Sequence, residues 1–255
     1  HRDPPPPAGE GASGASVSVP LPRRRGRVGV GVIAMLSLLS AMPAAAKPPE
    51  VLAFGDSLTA GYGLSAAEAF PARLEARLKA EGVGVRIVNA GVSGDTTTDG
   101  LARLDWALAD KPDCVILALG ANDALRGIDP RIVRANLDKM IGKIQAAGAK
   151  VLLLGMLAPA NWGADYEHAF DAIYPDLAKA HGVPLYPFFL EGVAMNPALN
   201  QADGMHPNAR GVAVMVDRIA PLVAKMVGGR SCPPGSPPPL PRAIRRRSAR
   251  GCSRS

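Results

Sequence analysis

Residues 51–59 read Val-Leu-Ala-Phe-Gly-Asp-Ser-Leu-Thr, and this stretch decides the fold prediction. The unbroken apolar run from Val51 to Phe54 is typical of a strand buried on both faces. Gly55 can adopt backbone angles that other residues avoid, and Asp56 is a favourable residue at a helix start. Because ligands bind at the carboxyl ends of strands in an open parallel sheet, the pattern places Ser57 in a ligand-binding crevice. A serine in such a turn is also explained as a simple helix cap, so the rest of the chain has to decide.

The chain alternates apolar strand patterns with helical periods as far as residue 229. The predicted strands cover residues 51–54, 83–88, 114–119, 151–154 and 183–186. Five helices are predicted. The first covers residues 66–81 and the second runs through Leu108; the third begins at Asp129, the fourth before Phe170 and the fifth at Asn208. Such alternation predicts an α/β domain over residues 47–229, with a five-stranded parallel sheet covered by helices on both faces.

The positive charge of the chain belongs to its two ends. The formal net charge is +7, but residues 230–255 hold seven Arg and no acidic residue. Residues 1–46 hold five Arg and two acidic residues, which leaves the segment between the two ends with a net charge of −3. We therefore do not expect the domain to bind nucleic acid. The Pro-, Arg- and Ser-rich tail has no apolar period and is predicted to be disordered.

Residues 1–46 predict a disordered leader followed by a secretory signal peptide. Basic residues 23–27, an apolar stretch over residues 28–39 and Ala44-Ala45-Ala46 follow in the order of such a signal, which favours cleavage after Ala46. The apolar stretch is too short to span a bilayer comfortably, although an uncleaved anchor stays open. The paired arginines also leave export in the folded state open. The predicted location is periplasmic or secreted, without a stable membrane span after cleavage; the cleavage point and the true start stay open.

The three cysteines do not make a disulfide framework. Cys114 lies in an apolar run and is predicted to be a buried thiol. Cys232 and Cys252 lie in the tail, and the sequence leaves open whether they pair.

Several polar residues follow the predicted strands or precede the last helix. A serine nucleophile needs a base within hydrogen-bond reach and a carboxylate that orients the base. His206 is the natural base for Ser57, and Asp203 is close enough in sequence to bind its other ring nitrogen. The backbone N–H groups of Ser57 and Gly91 and the side-chain amide of Asn122 are candidate donors to a developing oxyanion.

Each of these signals alone has a simpler explanation. The Asp203–His206 segment fits a cap and surface turn before a helix, and Asn122 fits a turn former. The hydrolase interpretation is favoured because all of the residues fall in loops predicted to share one edge of the sheet. Thr59 occupies the second glycine position of a Gly-x-Ser-x-Gly elbow, which indicates a different esterase architecture.

The residues form four separated blocks in a defined order. The blocks are Gly55-Asp56-Ser57-Leu58, Gly91, Gly120-Ala121-Asn122-Asp123 and Asp203-Gly204-Met205-His206-Pro207. They resemble the four blocks of the SGNH (GDSL) hydrolases. Residues 157–163, 172–175 and 187–189 resemble a narrower branch of periplasmic multifunctional acyl-CoA thioesterases, proteases and lysophospholipases with their arylesterase relatives.

The resemblance implies a flavodoxin-like three-layer α/β/α fold and an esterase that needs no metal and no cofactor. It assigns Ser57 as nucleophile, His206 as base and Asp203 as its partner. It places Gly91 and Asn122 with Ser57 in the oxyanion hole.

The implied substrates are small-molecule esters or thioesters, such as aryl esters, acyl thioesters or lysophospholipids. Candidate residues of an acyl groove are Asn161, Trp162, Phe188 and Phe189, with core packing as the alternative for the two Phe. Two other functions stay open: O-deacetylation of a polysaccharide at the same site, and non-catalytic binding of an anion or nucleotide at helix N-termini. Chain-length preference, leaving group and oligomeric state are not indicated.

Overall fold

The computed structural model describes residues 47–228. The predicted leader and signal peptide (residues 1–46) and the predicted tail (residues 230–255) lie outside the described residues. The question of a Cys232–Cys252 pair therefore lies outside them as well.

Five parallel strands form the single sheet of the described part of the chain. They are β1 (Glu50–Gly55), β2 (Arg86–Gly91), β3 (Cys114–Ala118), β4 (Lys150–Leu154) and β5 (Leu185–Tyr186). Their spatial order is β2-β1-β3-β4-β5, and each neighbouring pair is parallel. This is the flavodoxin-like strand order, so the predicted fold class is confirmed.

Helices cover both faces of the sheet. They are α1 (Ser57–Ala60), α2 (Phe70–Ala80), α3 (Thr97–Ala107), α4 (Ala121–Leu125), α5 (Pro130–Ala146), α6 (Ala164–Asp171), α7 (Ile173–His181) and α8 (Ala209–Gly228). Helices α2 and α8 pack together on one face, whereas α5 packs against α3 and α7 on the other. No helix of residues 47–228 combines the length and the hydropathy needed to cross a membrane.

Burial explains why the central strands read as continuous apolar runs. All six residues of β1 and all five residues of β3 are buried, because helices cover both faces of these strands. Cys114 at the start of β3 is a buried free thiol, as the sequence predicts.

Several predicted boundaries are wrong, and β2 matters most. It runs from Arg86 to Gly91 instead of residues 83–88, because its pairing follows β1 from Glu50 opposite Arg86 to Gly55 opposite Gly91. Gly91 therefore lies within a strand and not in the loop that follows it. The helix predicted over residues 66–81, which precedes β2, begins at Phe70, where Pro71 occupies the first turn.

The helical pattern around Phe170 is interrupted where the sequence predicts one helix. The structure has α6 up to Asp171 and α7 from Ile173, with Ala172 between them. The last helix begins as predicted, because the side chain of Asn208 accepts the N–H groups of Arg210 and Gly211.

Candidate active site

Ser57 is presented by an abrupt change from strand to helix. Strand β1 ends at Gly55, and Ser57 is the first residue of α1, at the carboxyl edge of the sheet. The side chain of Asp56 caps the helix by accepting the N–H of Leu58 at 3.0 Å. Gly55 is required here, because an added Cβ would lie 2.2 Å from Thr59 Oγ1 and 2.7 Å from the carbonyl oxygen of Ala118.

The structure joins Ser57, His206 and Asp203 in one chain of hydrogen bonds. The Nε2 atom of His206 lies 2.9 Å from Ser57 Oγ, and its Nδ1 atom lies 2.6 Å from Asp203 Oδ2. With Nδ1–H donating to the carboxylate, Nε2 is left as the acceptor for the serine hydroxyl. The arrangement is that of a nucleophile, a base and an orienting acid.

Asp203 is held as a carboxylate by donors from its own turn. Its Oδ1 atom accepts the backbone N–H groups of Met205 at 2.9 Å and His206 at 3.0 Å. The backbone and ring N–H groups of His206, followed by the Met205 N–H, lower the pKa of Asp203 to about 2. The group therefore stays negative at neutral pH.

Gly91 does not offer the donor that the sequence analysis assigned to it. Its N–H lies within β2 and donates to Asn89 Oδ1 at 3.0 Å. The glycine is needed for packing, because an added Cβ would lie 2.2 Å from the backbone nitrogen of Ala60 in α1. The close approach at Gly91 is therefore to the backbone of α1.

Three other donors at this edge of the sheet each have an N–H group that no acceptor within the described residues occupies. Within residues 47–228, the N–H groups of Ser57 and Gly94 have no hydrogen-bond acceptor. The amide of Asn122 uses one of its two N–H groups on the carbonyl of Asp95 at 2.9 Å. That contact places Asn122 against the turn that contains Gly94, in which the Asp95 N–H donates to the carbonyl of Val92 at 3.2 Å.

Gly94 is therefore a candidate oxyanion donor that the sequence analysis did not name. It follows β2 by three residues and has a φ of +88°, which favours glycine. The signal is the Ser93-Gly94-Asp95 turn, but a strand that ends at residue 88, as predicted, puts Gly91 in the following loop.

The comparison with protein families agrees with this site. The model of the GDSL-like lipase/acylhydrolase family matches residues 53–214, which include Ser57, Asp203 and His206. The chain belongs to the GDSL-like lipase/acylhydrolase family. It is a hydrolytic enzyme, and its sequence resemblance to SGNH hydrolases is confirmed.

Curated relatives and solved structures of the family match most of their own length. The esterase TesA of Pseudomonas aeruginosa is 42% identical over 178 residues, which are 69% of this chain and 89% of TesA. The thioesterase 1/protease 1/lysophospholipase L1 of Escherichia coli K12 is 42% identical over 193 residues, 75% of this chain and 90% of that protein. The crystal structure of AlinE4, an SGNH-hydrolase family esterase, is 48% identical with a TM-score of 0.61 and covers 71% of this chain and 98% of AlinE4.

In this GDSL-like hydrolase, Arg103 ties the loop after β2 to the end of β1. Its Nε donates to Asp95 Oδ2 at 2.6 Å, and its Nη2 donates to the carbonyl of Gly55 at 2.9 Å. The guanidinium also lies 4.0 Å from the centroid of the Phe54 ring. Arg103 thereby fixes the residue that precedes the nucleophile turn relative to the turn that contains Gly94.

A buried polar network supports Asn122. Its neighbour Asp123 accepts the backbone N–H of Thr97 at 2.8 Å and the Thr97 hydroxyl at 2.7 Å. Asn136 donates in turn to the hydroxyls of Thr97 and Thr98. Burial raises the pKa of Asp123 above its usual value. The network joins α4, which carries Asn122, to the beginning of α3.

Asp56 lies directly beneath the nucleophile and is fully buried. One carboxylate oxygen caps α1, but its Oδ2 atom has no partner. Burial, with smaller contributions from the nearby Asp123 and Asp95, raises the pKa of Asp56 to about 7. The hydrolase therefore carries a neutral carboxylic acid next to Ser57 in mildly acidic solution.

The structure separates the four residues predicted for an acyl groove. Asn161 and Trp162 lie in an exposed 3₁₀ turn after β4, and the indole N–H of Trp162 donates to the carbonyl of Ala124 in α4 at 2.8 Å. Phe188 is half-buried. Phe189 corrects the prediction, because its ring is 0% exposed and packs edge-on against Phe70 at 5.0 Å in the core.

Proposed function

We propose that this chain is a serine esterase that cleaves carboxylic esters and thioesters through an acyl-enzyme. The observation that carries the proposal is the hydrogen-bonded chain from Ser57 Oγ through His206 to Asp203, at 2.9 and 2.6 Å. A serine hydroxyl is a weak nucleophile unless a base removes its proton during attack. His206 lies at the distance that this proton transfer requires.

In the proposed acylation, Ser57 Oγ attacks the carbonyl carbon and its proton passes to His206 Nε2. The carbonyl oxygen becomes an oxyanion that the N–H groups of Ser57 and Gly94 and the amide of Asn122 stabilise. His206 then donates the proton to the departing oxygen or sulfur, and the bond to the leaving group breaks. Asp203 stays ionised and stabilises the imidazolium between the two transfers.

Deacylation repeats the sequence with water. His206 removes a proton from a water molecule that attacks the acyl carbon, and it returns the proton to Ser57 Oγ as the carboxylic acid leaves. Both half-reactions use the same donors, because both pass through a tetrahedral oxyanion.

Exposed apolar side chains in the loops and at the end of α4 support small, apolar acyl or aryl substrates. The exposed ones are Tyr62, Val92, Leu125, Leu157, Trp162 and Met205. The indole N–H of Trp162 donates to the carbonyl of Ala124 in α4, the helix that also carries Asn122, and this contact supports a role for the Trp162 ring in binding the acyl group. Aryl esters, acyl thioesters and lysophospholipids all combine a cleavable carbonyl with an apolar group that such a surface binds.

The proposal extends to the location of the enzyme and to its domains. The order of basic, apolar and small residues in segment 1–46 supports export to the periplasm or secretion. Residues 47–229 are the hydrolase domain, and the negative charge of this segment supports small-molecule substrates over nucleic acid.

The test is the Ser57→Ala variant of the full chain. We expect turnover of p-nitrophenyl esters to fall by at least about 1,000-fold with an unchanged melting temperature, because the nucleophile is lost and the fold is not. A fluorophosphonate probe is expected to label the wild type at Ser57 and to leave the variant unlabelled. Ser65→Ala is the matched control, because Ser65 is an exposed serine and its side-chain hydroxyl donates only to the carboxylate of Glu68.

Loss of only a few-fold activity in Ser57→Ala would contradict the proposal. A wild type that binds the ester without turnover and without labelling would favour a non-catalytic binder instead. A series from acetyl to long-chain acyl esters separates the remaining choice, because a polysaccharide deacetylase turns over the acetyl esters alone.

A further inference from the structure

A single side chain outside the catalytic residues joins the two segments that carry Ser57 and His206. The Nε2 atom of Gln201 donates to the carbonyl of Tyr62 at 2.7 Å and to the carbonyl of Pro207 at 3.0 Å. We call these two hydrogen bonds the Gln201 bridge. Its two ends lie 139 and 6 residues from Gln201 in sequence, so it connects distant parts of the chain.

The Tyr62 end of the Gln201 bridge is attached to the nucleophile. The N–H of Tyr62 donates to the carbonyl of Ser57 at 3.1 Å, as does the N–H of Gly61. Tyr62 therefore accepts a hydrogen bond from Gln201 through its carbonyl and donates one to the backbone of Ser57 through its N–H.

The Pro207 end is attached to the base. Pro207 directly follows His206 and pairs with Asn200 in an isolated antiparallel bridge. The backbone N–H of Gln201 also donates to the carbonyl of His206 at 2.7 Å. In addition, the Tyr62 ring packs against the His206 ring, with centroids 4.6 Å apart and an angle of 37° between the planes.

The loop leaves space for this amide. An added Cβ on Gly63 would lie 2.1 Å from Gln201 Oε1, and Gly63 has a φ of +72°. Any larger residue at this position would displace the side chain of Gln201. The glycine is thus explained by the approach of the amide as well as by the turn.

We propose that Gln201 is a positioning residue, which sets the distance between His206 Nε2 and Ser57 Oγ by holding both backbones through the Gln201 bridge. The inference rests on the proposed serine esterase function. A primary amide carries two N–H groups and can donate to two carbonyls at once, which neither a thioether nor a carboxylate can do. Because proton transfer depends on sub-ångström placement, loss of the bridge lowers the rate of chemistry more than the affinity for substrate.

The experiment compares Gln201→Met with the wild type in the full chain. Methionine has a similar length and no donor. We expect kcat for a p-nitrophenyl ester to fall about 10- to 100-fold with KM within about twofold, since the reacting atoms are misplaced and the binding surface is kept. The initial rate of fluorophosphonate labelling is expected to fall by a similar factor, while labelling on long incubation still reaches every active site.

Gln145→Met is the matched control. The amide of Gln145 donates to the carbonyl of His181 at 3.1 Å and so makes a comparable bond between distant segments, away from the catalytic residues. Its kcat is expected to equal that of the wild type. Gln201→Asn is a second test variant, because it keeps the amide but shortens the side chain by one methylene, and it is expected to lose kcat as well.

All rates are expressed per labelled active site, so that incomplete folding does not mimic the effect. Wild-type kcat per labelled site in Gln201→Met or in Gln201→Asn would overturn the proposal, even with a lower melting temperature, because the bridge would then be only structural. Failure of the esterase function itself is recognised separately, by turnover or labelling that persists in Ser57→Ala.

Discussion

At the residue scale, the site depends on hydrogen-bond donors and acceptors that the secondary structure and the loops do not use. Ser57 and His206 lie 149 residues apart in the chain and 2.9 Å apart in space. Gly91 is different, because its N–H donates to the side-chain oxygen of Asn89 and is not available to an oxyanion. Among the described residues, Gly94 and Asn122 retain N–H groups without an acceptor, and this supports the proposed oxyanion hole.

The first prediction concerns Asn122. Asn122→Ala is expected to lower kcat for an aryl ester about 100-fold with little change in KM, because the lost donor acts on charge that appears only in the transition state. Steady-state kinetics against the wild type provide the measurement. Asn196→Ala is the control, because Asn196 is exposed and accepts only the N–H of Ala198 with its side chain. A KM that rises with kcat unchanged would place Asn122 in substrate binding and not in the oxyanion hole.

At the element scale, α1 is positioned by the strands on which it packs. The helix is four residues long and is too short to be stable alone. It is held by the Asp56 cap at its beginning and by Gly61 at its end, and its backbone touches β2 at Gly91. The close contact with β2 places Ser57 relative to the turn that contains Gly94.

A second prediction follows from the contact between α1 and β2. Gly91→Ala is expected to destabilise the fold by at least about 2 kcal/mol, because the new methyl group would overlap the Ala60 backbone and neither the helix nor the strand can move freely. Chemical denaturation measures the free energy of unfolding. Gly84→Ala is the control, because an added Cβ there has nothing within 4 Å. Equal stability of the two variants would show that α1 yields and that Gly91 has no packing role.

At the scale of the whole molecule, the parallel sheet brings the four sequence blocks to one edge. The order β2-β1-β3-β4-β5 places the carboxyl ends of β1, β2 and β3 side by side, so that their loops meet. The same packing buries Asp56 and Asp123 below the site, where the pKa of each is raised by burial. Stability and active-site architecture therefore share the same buried acids.

The third prediction concerns stability and pH. The folded protein keeps a proton on Asp56 up to a pKa of about 7, whereas the unfolded chain releases it near 3.8. The folded state thus binds more protons between these values, and the contribution of this group to stability falls as the pH rises from about 4 to about 7.

Asp56→Asn keeps the cap on α1 and removes this titration. We expect the free energy of unfolding of the variant, relative to that of the wild type, to rise by up to about 4 kcal/mol as the pH increases from 4 to 7. Urea denaturation at several pH values measures the difference, in which the contributions of Asp123 and the other acids cancel. Parallel stability curves for the two proteins would show that Asp56 ionises normally.

Periodicity and local motifs predicted the element types and the fold class, and they selected Ser57, Asp203 and His206, whose catalytic roles stay a prediction. They succeeded because an apolar run such as that of β1 reports burial directly, and because helix ends carry local signals such as Asn208. They failed where an assignment depends on a partner distant in the chain. The end of β2 is set by its register with β1, and the burial of Phe189 is set by Phe70.

The sequence by itself thus determined a doubly covered parallel sheet with a serine at the end of its first strand, since these features follow from the chemistry of neighbouring residues. Only the tertiary structure decided which backbone N–H groups within residues 47–228 lack an acceptor, and that Gln201 hydrogen-bonds to the carbonyls of both Tyr62 and Pro207. Hydrogen bonds between distant segments depend on how close those segments lie in three dimensions, and neither the composition nor the spacing of residues along the chain predicts that proximity.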